Sequence, residues 1–545
     1  MSSLDWIILI TALTGIIIYG VYKSAHTKNL DGYFLSNNSM PWYLVLLSIM
    51  GTQASAITFL SAPGQAYTDG MRFVQYYFGL PLAMIVICIF FVPAFSKLKI
   101  YTAYEFLEQR FDVKTRTFTS ALFLLSRGLS TGISIYAPSI ILSSLLGWNI
   151  YYTNLVMGGL LIIYTMTGGA KAVAYTQQLQ LIIIIAGMFL AGYMVVHLLP
   201  ADMGFKDALH AAGSHGKMNI ITSGVTNNHF DWKDKYNIWS GLIGGFFLAL
   251  SYFGTDQSQV GRYLTAKSDK ESKIGLLMNG LVKVPMQFLI LLLGVMVFAF
   301  YQYHKAPVYF DNAKVVMAKK TAYKDSLNTI ELQYSRAVAE KKYDQINALR
   351  TEYKEVIKNA IPGDDANDTN YIFIRFVVDN LPKGLVGLLI AVIFLAAWGS
   401  IAAALNALAS CTVVDFHKKF INKDCTEAVD YKISRWYTFG WGVFSIIVAM
   451  FAHNLGNSLI EAVNILGSIF YGVILGIFLV AFWVKYVTGN AVFIASIISQ
   501  VLVIVVYNSD IVSFLWLNVI GAFLVIVFSL LIQFITNATS KAVAR

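Results

Sequence analysis

The 545 residues carry 57% hydrophobic and only 13% charged side chains, against about 25% charged in a soluble domain, so a water-soluble fold is excluded. The net charge of +10 is scattered between apolar runs and offers nucleic acid no continuous basic surface. The three cysteines, Cys88, Cys411 and Cys425, have no regular spacing that would suggest a disulfide framework or a metal site.

Runs of about 20 apolar residues suffice to cross a ~30 Å hydrocarbon core, and they predict an all-α polytopic membrane protein with about thirteen transmembrane helices. The first, near 5–22, begins with Asp5 instead of a basic segment and has no small-residue cleavage site before Lys23 and Lys28. It is expected to be a retained extra helix within residues 1–30. Runs near 41–67, 71–96, 117–146, 150–168 and 176–199 form a first group of five within 31–200. After an outer loop at 201–237, runs near 238–260, 274–301, 384–413, 436–453 and 459–484 form a second. Two extra helices near 490–507 and 511–535, with a short cytoplasmic tail, complete 485–545.

Lys and Arg fix the orientation, because cytoplasmic loops hold the positive excess. Lys97, Lys99, Arg110, Lys114, Arg116, Arg262, Lys267, Lys418, Lys419 and Lys432 share one side, which places the N-terminus outside and the C-terminus in the cytoplasm of a plasma (cell inner) membrane. The second group is interrupted at 302–380 by an outer insertion. Ile346, Leu349, Tyr353, Val356 and Ile357 follow a helical rhythm there, so a solvated helical hairpin is expected, with docking of an outside partner as the less economical reading.

Two stretches break the pattern. SIMGTQASAITFLSAPG (48–64) puts glycine and small polar residues inside a span, with a helix break predicted over 51–55, and SYFGTDQ (251–257) does the same around Gly254 and Asp256. Small residues in a span also serve close packing. Yet both stretches fall in the first helix of a five-helix group, and an odd group size inverts the second group relative to the first. Discontinuous helices at matching places in inverted halves point to a transport site at the midplane.

Charge inside the bilayer is the other signal. Arg127 lies ten residues into its span, about 15 Å deep at 1.5 Å per residue, and Lys283 is as deep by the same count. A bare charge there costs upwards of ~2.5 kcal/mol. Asp256, nearer the inner face, is the one buried acid the sequence offers. Either Arg127 clamps onto Asp256 or backbone carbonyls, or a substrate carboxylate completes one of the cations.

Four motifs then resemble one family. DGYFLSNNSMPW (31–42), YTMTGGAKAVAYTQQLQ (164–180), GTDQSQVGRYLTAKS (254–268) and ALNALASCTVVDF (404–416) are similar, in order, to those of the sodium/solute symporters, which include sodium-glucose, sialic acid, iodide and vitamin cotransporters. The resemblance implies a leucine-transporter-type 5+5 inverted repeat with broken first and sixth core helices. It implies alternating access and sodium as the coupling ion. Carried over by position, the sodium ligands become Gly51 and Ala54 with Ala396, Gly399 and Ser400. Gly399 departs from the family, which often has a hydroxyl residue there. Where members with a second sodium site have an Asp and further hydroxyls, this chain has Gln177, Ala402 and Ala403, so at most one sodium per cycle is expected.

For a small organic solute (a carboxylate, sialic acid or sugar) the resemblance marks Ser55, Thr58, Gln75, Arg127 and Phe253, with Tyr252 as a gate. Gln177, Asp256 and Lys283 take structural or coupling roles. Proton-coupled or uncoupled transport on the same fold, or a transporter-like sensor, is the alternative. No span holds a cluster of His, Cys or carboxylates, which argues against an enzyme, and no ring-forming filter suggests a channel.

Overall fold

The computed structural model describes all residues except 25–37, 99, 341, 364–365, 423–426, 453–457 and 544–545. The first-motif segment 31–37, with loop residues such as Lys28, Lys423 and Cys425, therefore lies outside the described residues. Among those described, nine helices are long and apolar enough to cross a bilayer, and three shorter apolar helices accompany them: Trp42–Gln53, Ile150–Met166 and Ser240–Thr255. The predicted span 436–453 falls on the helix Glu427–Phe451. One two-stranded antiparallel ribbon, Val225–Thr226 with His229–Phe230, lies in the outer loop.

The helix Leu385–Cys411 is the axis of the bundle. Its alanines and glycine let neighbours approach from every side, as small residues do in membrane bundles, and Ala391, Ala402, Ala403 and Leu405 are fully buried. Peripheral helices instead present Ile7, Ile10, Ile18 and Phe534 outward, a distribution suited to lipid. The first helix, Ser3–Ser24, is pinned to the axis by its acid: Asp5 accepts from Gly384 N–H (2.6 Å) and Gly387 N–H (3.1 Å).

Residues Ile150–His197 are helical throughout, yet Tyr164 Oη lies 2.6 Å from Thr176 Oγ1. A straight helix would rise about 18 Å over those twelve residues. The chain folds back between them, giving two arms where two spans are predicted.

The breaks are narrower than the sequence suggests. Helix Trp42–Gln53 keeps Gly51 in regular conformation, and only Ala54 and the extended Ser55 (φ −81°, ψ 169°) interrupt the path to helix Ala56–Asp69. Ser55 N–H turns to the carbonyl of Gln53 (2.9 Å) and so abandons that of Gly51, four residues back. In the other half, helix Gly245–Thr255 stops at Asp256 (φ −79°, ψ 117°), which caps helix Gln257–Tyr263 by accepting from Ser258 N–H. Gly254 stays helical, and Phe91 crosses it so closely that a Cβ there would lie 2.8 Å from the ring.

The insertion has a core of its own. Helices Lys324–Ala339 and Tyr343–Ala360 enclose Leu327, Ile330, Tyr334, Leu349, Tyr353 and Ile357. It is also anchored, and not merely solvated. Asp368 is paired with Lys354 (2.6 Å) and Arg350 (3.8 Å), and Arg350 reaches Tyr67 Oη (3.4 Å) at the outer end of the first broken helix. At the opposite end of the bundle, Glu108 accepts from Arg116 (2.5 Å) and Lys419 (2.7 Å). Burial alone would raise its pKa, but these hydrogen bonds outweigh burial and hold the carboxyl below its ordinary value.

The outer half of the first broken helix is gripped by backbone contact. A Cβ at Gly294 would meet the Pro63 carbonyl at 2.1 Å, whereas one at Gly192 would meet nothing within 4 Å. Gly294→Val is therefore expected to cost about 1–3 kcal/mol through overpacking, read as a lowered melting temperature and a smaller monodisperse peak on size exclusion. Gly192→Val is expected to leave both unchanged.

Candidate transport site

Both broken helices line one cavity of ≈ 140 Å³. Ser55 and Thr58 enter it from the first broken helix, Tyr252 and Phe253 from the second, Arg127 from the helix Val113–Leu146, and Lys283 from Asp269–Tyr303. Ser400 lines its edge. These sequence-marked residues converge; Gln75 does not. Its side chain is fully buried in the outer loop, donating to Thr222 Oγ1 (3.0 Å) and the Tyr236 carbonyl (3.0 Å) and accepting from Thr222 N–H (3.1 Å). The 3-10 turn Gly70–Tyr77 sends Tyr76 and Tyr77 to the cavity instead.

Of the two readings the sequence left open for Arg127, the ion pair with Asp256 is the one formed. Arg127 lines the cavity and pairs with Asp256 through Nη2, which reaches Tyr471 Oη as well (3.2 Å). Tyr471 in turn donates to Asp256 Oδ2 (2.9 Å), and Ser258 N–H and Oγ donate to Oδ1 (2.8 and 2.6 Å). Asp256 is thus beside Arg127, at the break itself. It is not the one buried acid, since Asp415 with Arg116 and Glu461 with Lys235 are buried too. The guanidinium carbon sits 5.3 Å from the Tyr252 ring centroid, and Arg127 Nε finds no partner among the described residues.

Lys283 is differently placed. Only 2% exposed, it has no ion pair among the described residues, and its ammonium lies 5.5 Å from the Tyr77 ring centroid. With Arg127 paired to Asp256, Lys283 is the basic group of the cavity wall that has no ion pair among the described residues.

Behind the cavity, Gln177 is wedged between two glycines. A Cβ at Gly51 would come within 2.9 Å of its Cβ, and one at Gly399 within 3.2 Å of its Cγ. Its Nε2 donates to the Gly399 carbonyl (3.0 Å) and Thr52 Oγ1 (3.2 Å), and its Oε1 accepts from Ser48 Oγ (2.9 Å). The Gly399 carbonyl thus accepts a side-chain hydrogen bond from Gln177, as the Ala396 carbonyl does from Ser400. Ala54 is fully buried at the break. Ser400 Oγ donates back to the carbonyls of Ala396 (3.0 Å) and Ala397 (3.1 Å), leaving its lone pairs available.

Thr131, Ser134, Asn464 and Tyr471 complete the polar wall. Thr131 and Ser134 follow Arg127 by four and seven residues, one face of one helix, so their signal was in the sequence. Tyr471 and Asn464 gave none, because only packing brings their helix, Leu459–Trp483, against the break at Asp256.

The family model for sodium:solute symporters matches residues 33–327 and 349–499. The chain belongs to the sodium:solute symporter family. It is 26% identical over 529 residues to a sodium/sialic acid symporter of Proteus mirabilis, an alignment covering 96% of this chain and 93% of that one. It is 24% identical over 510 residues to a sodium/glucose cotransporter of Vibrio parahaemolyticus, covering 90% and 83%. A solved sodium-coupled sialic acid symporter in a substrate-bound outward-open state shares the fold, with a TM-score of 0.78 at 24% identity over 98% of both chains. This family member is a multi-pass membrane protein that couples a small solute to sodium by alternating access.

Removing one partner of a buried ion pair costs about 3–5 kcal/mol, because the other charge is left bare. Arg127→Gln and Asp256→Asn are each expected to destabilise the purified symporter, Asp256→Asn the more. The double variant is expected to be more stable than the two single losses summed, as a thermal-melt double-mutant cycle would show.

Proposed function

We propose that this symporter moves a small organic acid together with one sodium ion. The observation that carries the reading is Lys283: a buried amine in the cavity wall with no ion-pair partner among the described residues, in a cavity where the charge of Arg127 is already matched by Asp256. A substrate carboxylate supplies the missing partner. Ser55, Thr58, Thr131 and the unpartnered Nε of Arg127 offer hydrogen bonds to the rest of the solute, with Phe253 as an apolar wall and Tyr252 as a gate. The cavity volume of ≈ 140 Å³ is below the usual ~300–1,000 Å³ of ligand sites, which favours a compact solute. Relatives named for sialic acid and for monocarboxylates also handle acids.

Sodium is read at the first break. The Gly51 carbonyl freed there, the carbonyls of Ala54 and Ala396 and the hydroxyl of Ser400 are hard oxygen donors of the kind an alkali cation takes. A second ion has no place, because Gln177 spends its amide on Gly399, Thr52 and Ser48 and residues 402 and 403 are alanines. The two breaks, in the first helices of two groups of five, support the inverted 5+5 repeat within 31–200 and 238–484. The count of about thirteen helices, the flanking helices 1–30 and 485–545, and a cytoplasmic C-terminus belong to the same reading.

Stoichiometry makes it testable. One sodium with a neutral solute gains about 2.3 kcal/mol from ~100 mV and about 1.4 from a tenfold gradient, roughly 500-fold accumulation. With a monoanion the charges cancel and the gradient alone remains, about tenfold. Proteoliposomes offered monocarboxylates, sugar acids and neutral sugars are expected to take up an acid without net current. Uptake of a neutral sugar with one charge moved would overturn the proposal. Lys283→Gln is expected to raise the acid concentration for half-maximal uptake about tenfold or more, with sodium dependence unchanged.

A further inference from the structure

We infer that Gln259 is a positioning residue of the Tyr252 gate, tying that gate to the helix on the far side of the second break. The inference rests on the reading of Tyr252 as a gate given above and adds to it the residue that holds the gate in place. Tyr252 belongs to helix Gly245–Thr255 and Gln259 to helix Gln257–Tyr263, on either side of the extended backbone at Asp256. Across that interruption Gln259 Nε2 donates to Tyr252 Oη at 2.7 Å. Among the described residues no other side-chain hydrogen bond joins the two helices directly.

The surroundings of both side chains fit this role. The Tyr252 ring is flanked by the Arg127 guanidinium carbon (5.3 Å from its centroid), by Phe253 (5.0 Å between centroids) and by Tyr471 (5.9 Å). None of these lies on helix Gln257–Tyr263, so of the gate's contacts the bond from Gln259 is the one that moves with that helix. Gln259 is fully buried, it is not among the residues that line the cavity, and its Oε1 has no partner among the described residues. Its amide therefore makes a single hydrogen bond, to the gate, whereas that of Gln177 binds three residues together. A hydrogen bond of 2.7 Å is lost when stretched by about 1 Å. A small tilt of helix Gln257–Tyr263 against Gly245–Thr255 thus withdraws the amide from the phenol and leaves the ring held only from its sides. Release of the gate is thereby coupled to movement of that helix.

The test reads how fast a cysteine in the cavity wall, Ala404→Cys, reacts with a membrane-impermeant methanethiosulfonate applied to membrane vesicles of either orientation, with Cys88, Cys411 and Cys425 replaced by alanine. Gln259→Leu is expected to raise that rate about fivefold, the net worth of one hydrogen bond, from the face toward which helix Gln257–Tyr263 runs. From the opposite face, where the insertion lies, the rate is expected to stay unchanged. Tyr252→Phe removes the same bond from its other end and is expected to give the same rise, and the two substitutions together no more than either alone. General loosening of the bundle would instead raise the rate from both faces and would add, and either result overturns the inference. Tyr252→Ala reports on the gate itself. If Tyr252→Ala raises the rate from the first face while Gln259→Leu and Tyr252→Phe do not, the role of Gln259 is overturned and the gate stands. If Tyr252→Ala does not raise it, the gate reading falls and the inference with it. Should Gln259→Leu not fold, Tyr252→Phe still breaks the bond, and an unchanged rate in that variant overturns the inference equally.

Discussion

A helix interrupted inside a bilayer leaves backbone groups that lipid cannot satisfy, each costing several kcal/mol unless protein, water or an ion takes them up. Everything around residues 54 and 55 follows from that constraint. Gln177 braces the helix just before the interruption by filling the groove over Gly51 and holding Ser48 and Thr52. Just after it, Thr58 Oγ1 donates to the carbonyl of Gln53 (3.2 Å) and closes part of the gap. The Gly51 carbonyl, which Ser55 N–H abandons for that of Gln53, is the oxygen at which the proposed sodium site is read.

The second interruption is solved in the opposite way. There a charge is placed at the break: Asp256 caps the following helix, accepts from Tyr471 and neutralises Arg127. One acid thus serves as helix cap and ion-pair partner. The two breaks are asymmetric in electrostatics although they match in position, one offering neutral oxygens to a cation and the other an internal ion pair. In the proposed reading, this asymmetry leaves Lys283 as the group to be met by the solute.

The insertion between the helices Asp269–Tyr303 and Leu385–Cys411 bears on the first broken helix. Arg350 and Lys354 meet at Asp368, and Arg350 continues to Tyr67, at the end of Ala56–Asp69. The segment leading back to the bundle is equally close: Asn370 Oδ1 accepts from Leu459 N–H (3.1 Å), and Ser61 Oγ from Ile460 N–H (3.3 Å). The outer half of the first broken helix is therefore tied at once to the insertion and to the N-terminus of helix Leu459–Trp483, two elements far apart in sequence.

The sequence by itself determined the membrane class, the rough extent of the helices, the two interrupted spans and the family, because apolar run length, small-residue clusters and linear motifs are local properties of a chain. It also marked Ser55, Thr58, Arg127, Tyr252, Phe253 and Lys283, all of which line the cavity. Tertiary structure alone decided which charges cancel. Arg127 and Asp256 are 129 residues apart, and no periodicity tells that they touch while Lys283 stays alone. It also decided that Gln75 serves the outer loop, that Gly399 is small because two glutamines press on it, and that the breaks span only a residue or two. Each depends on side chains from separate helices competing for one volume, and a linear pattern holds no information about that competition.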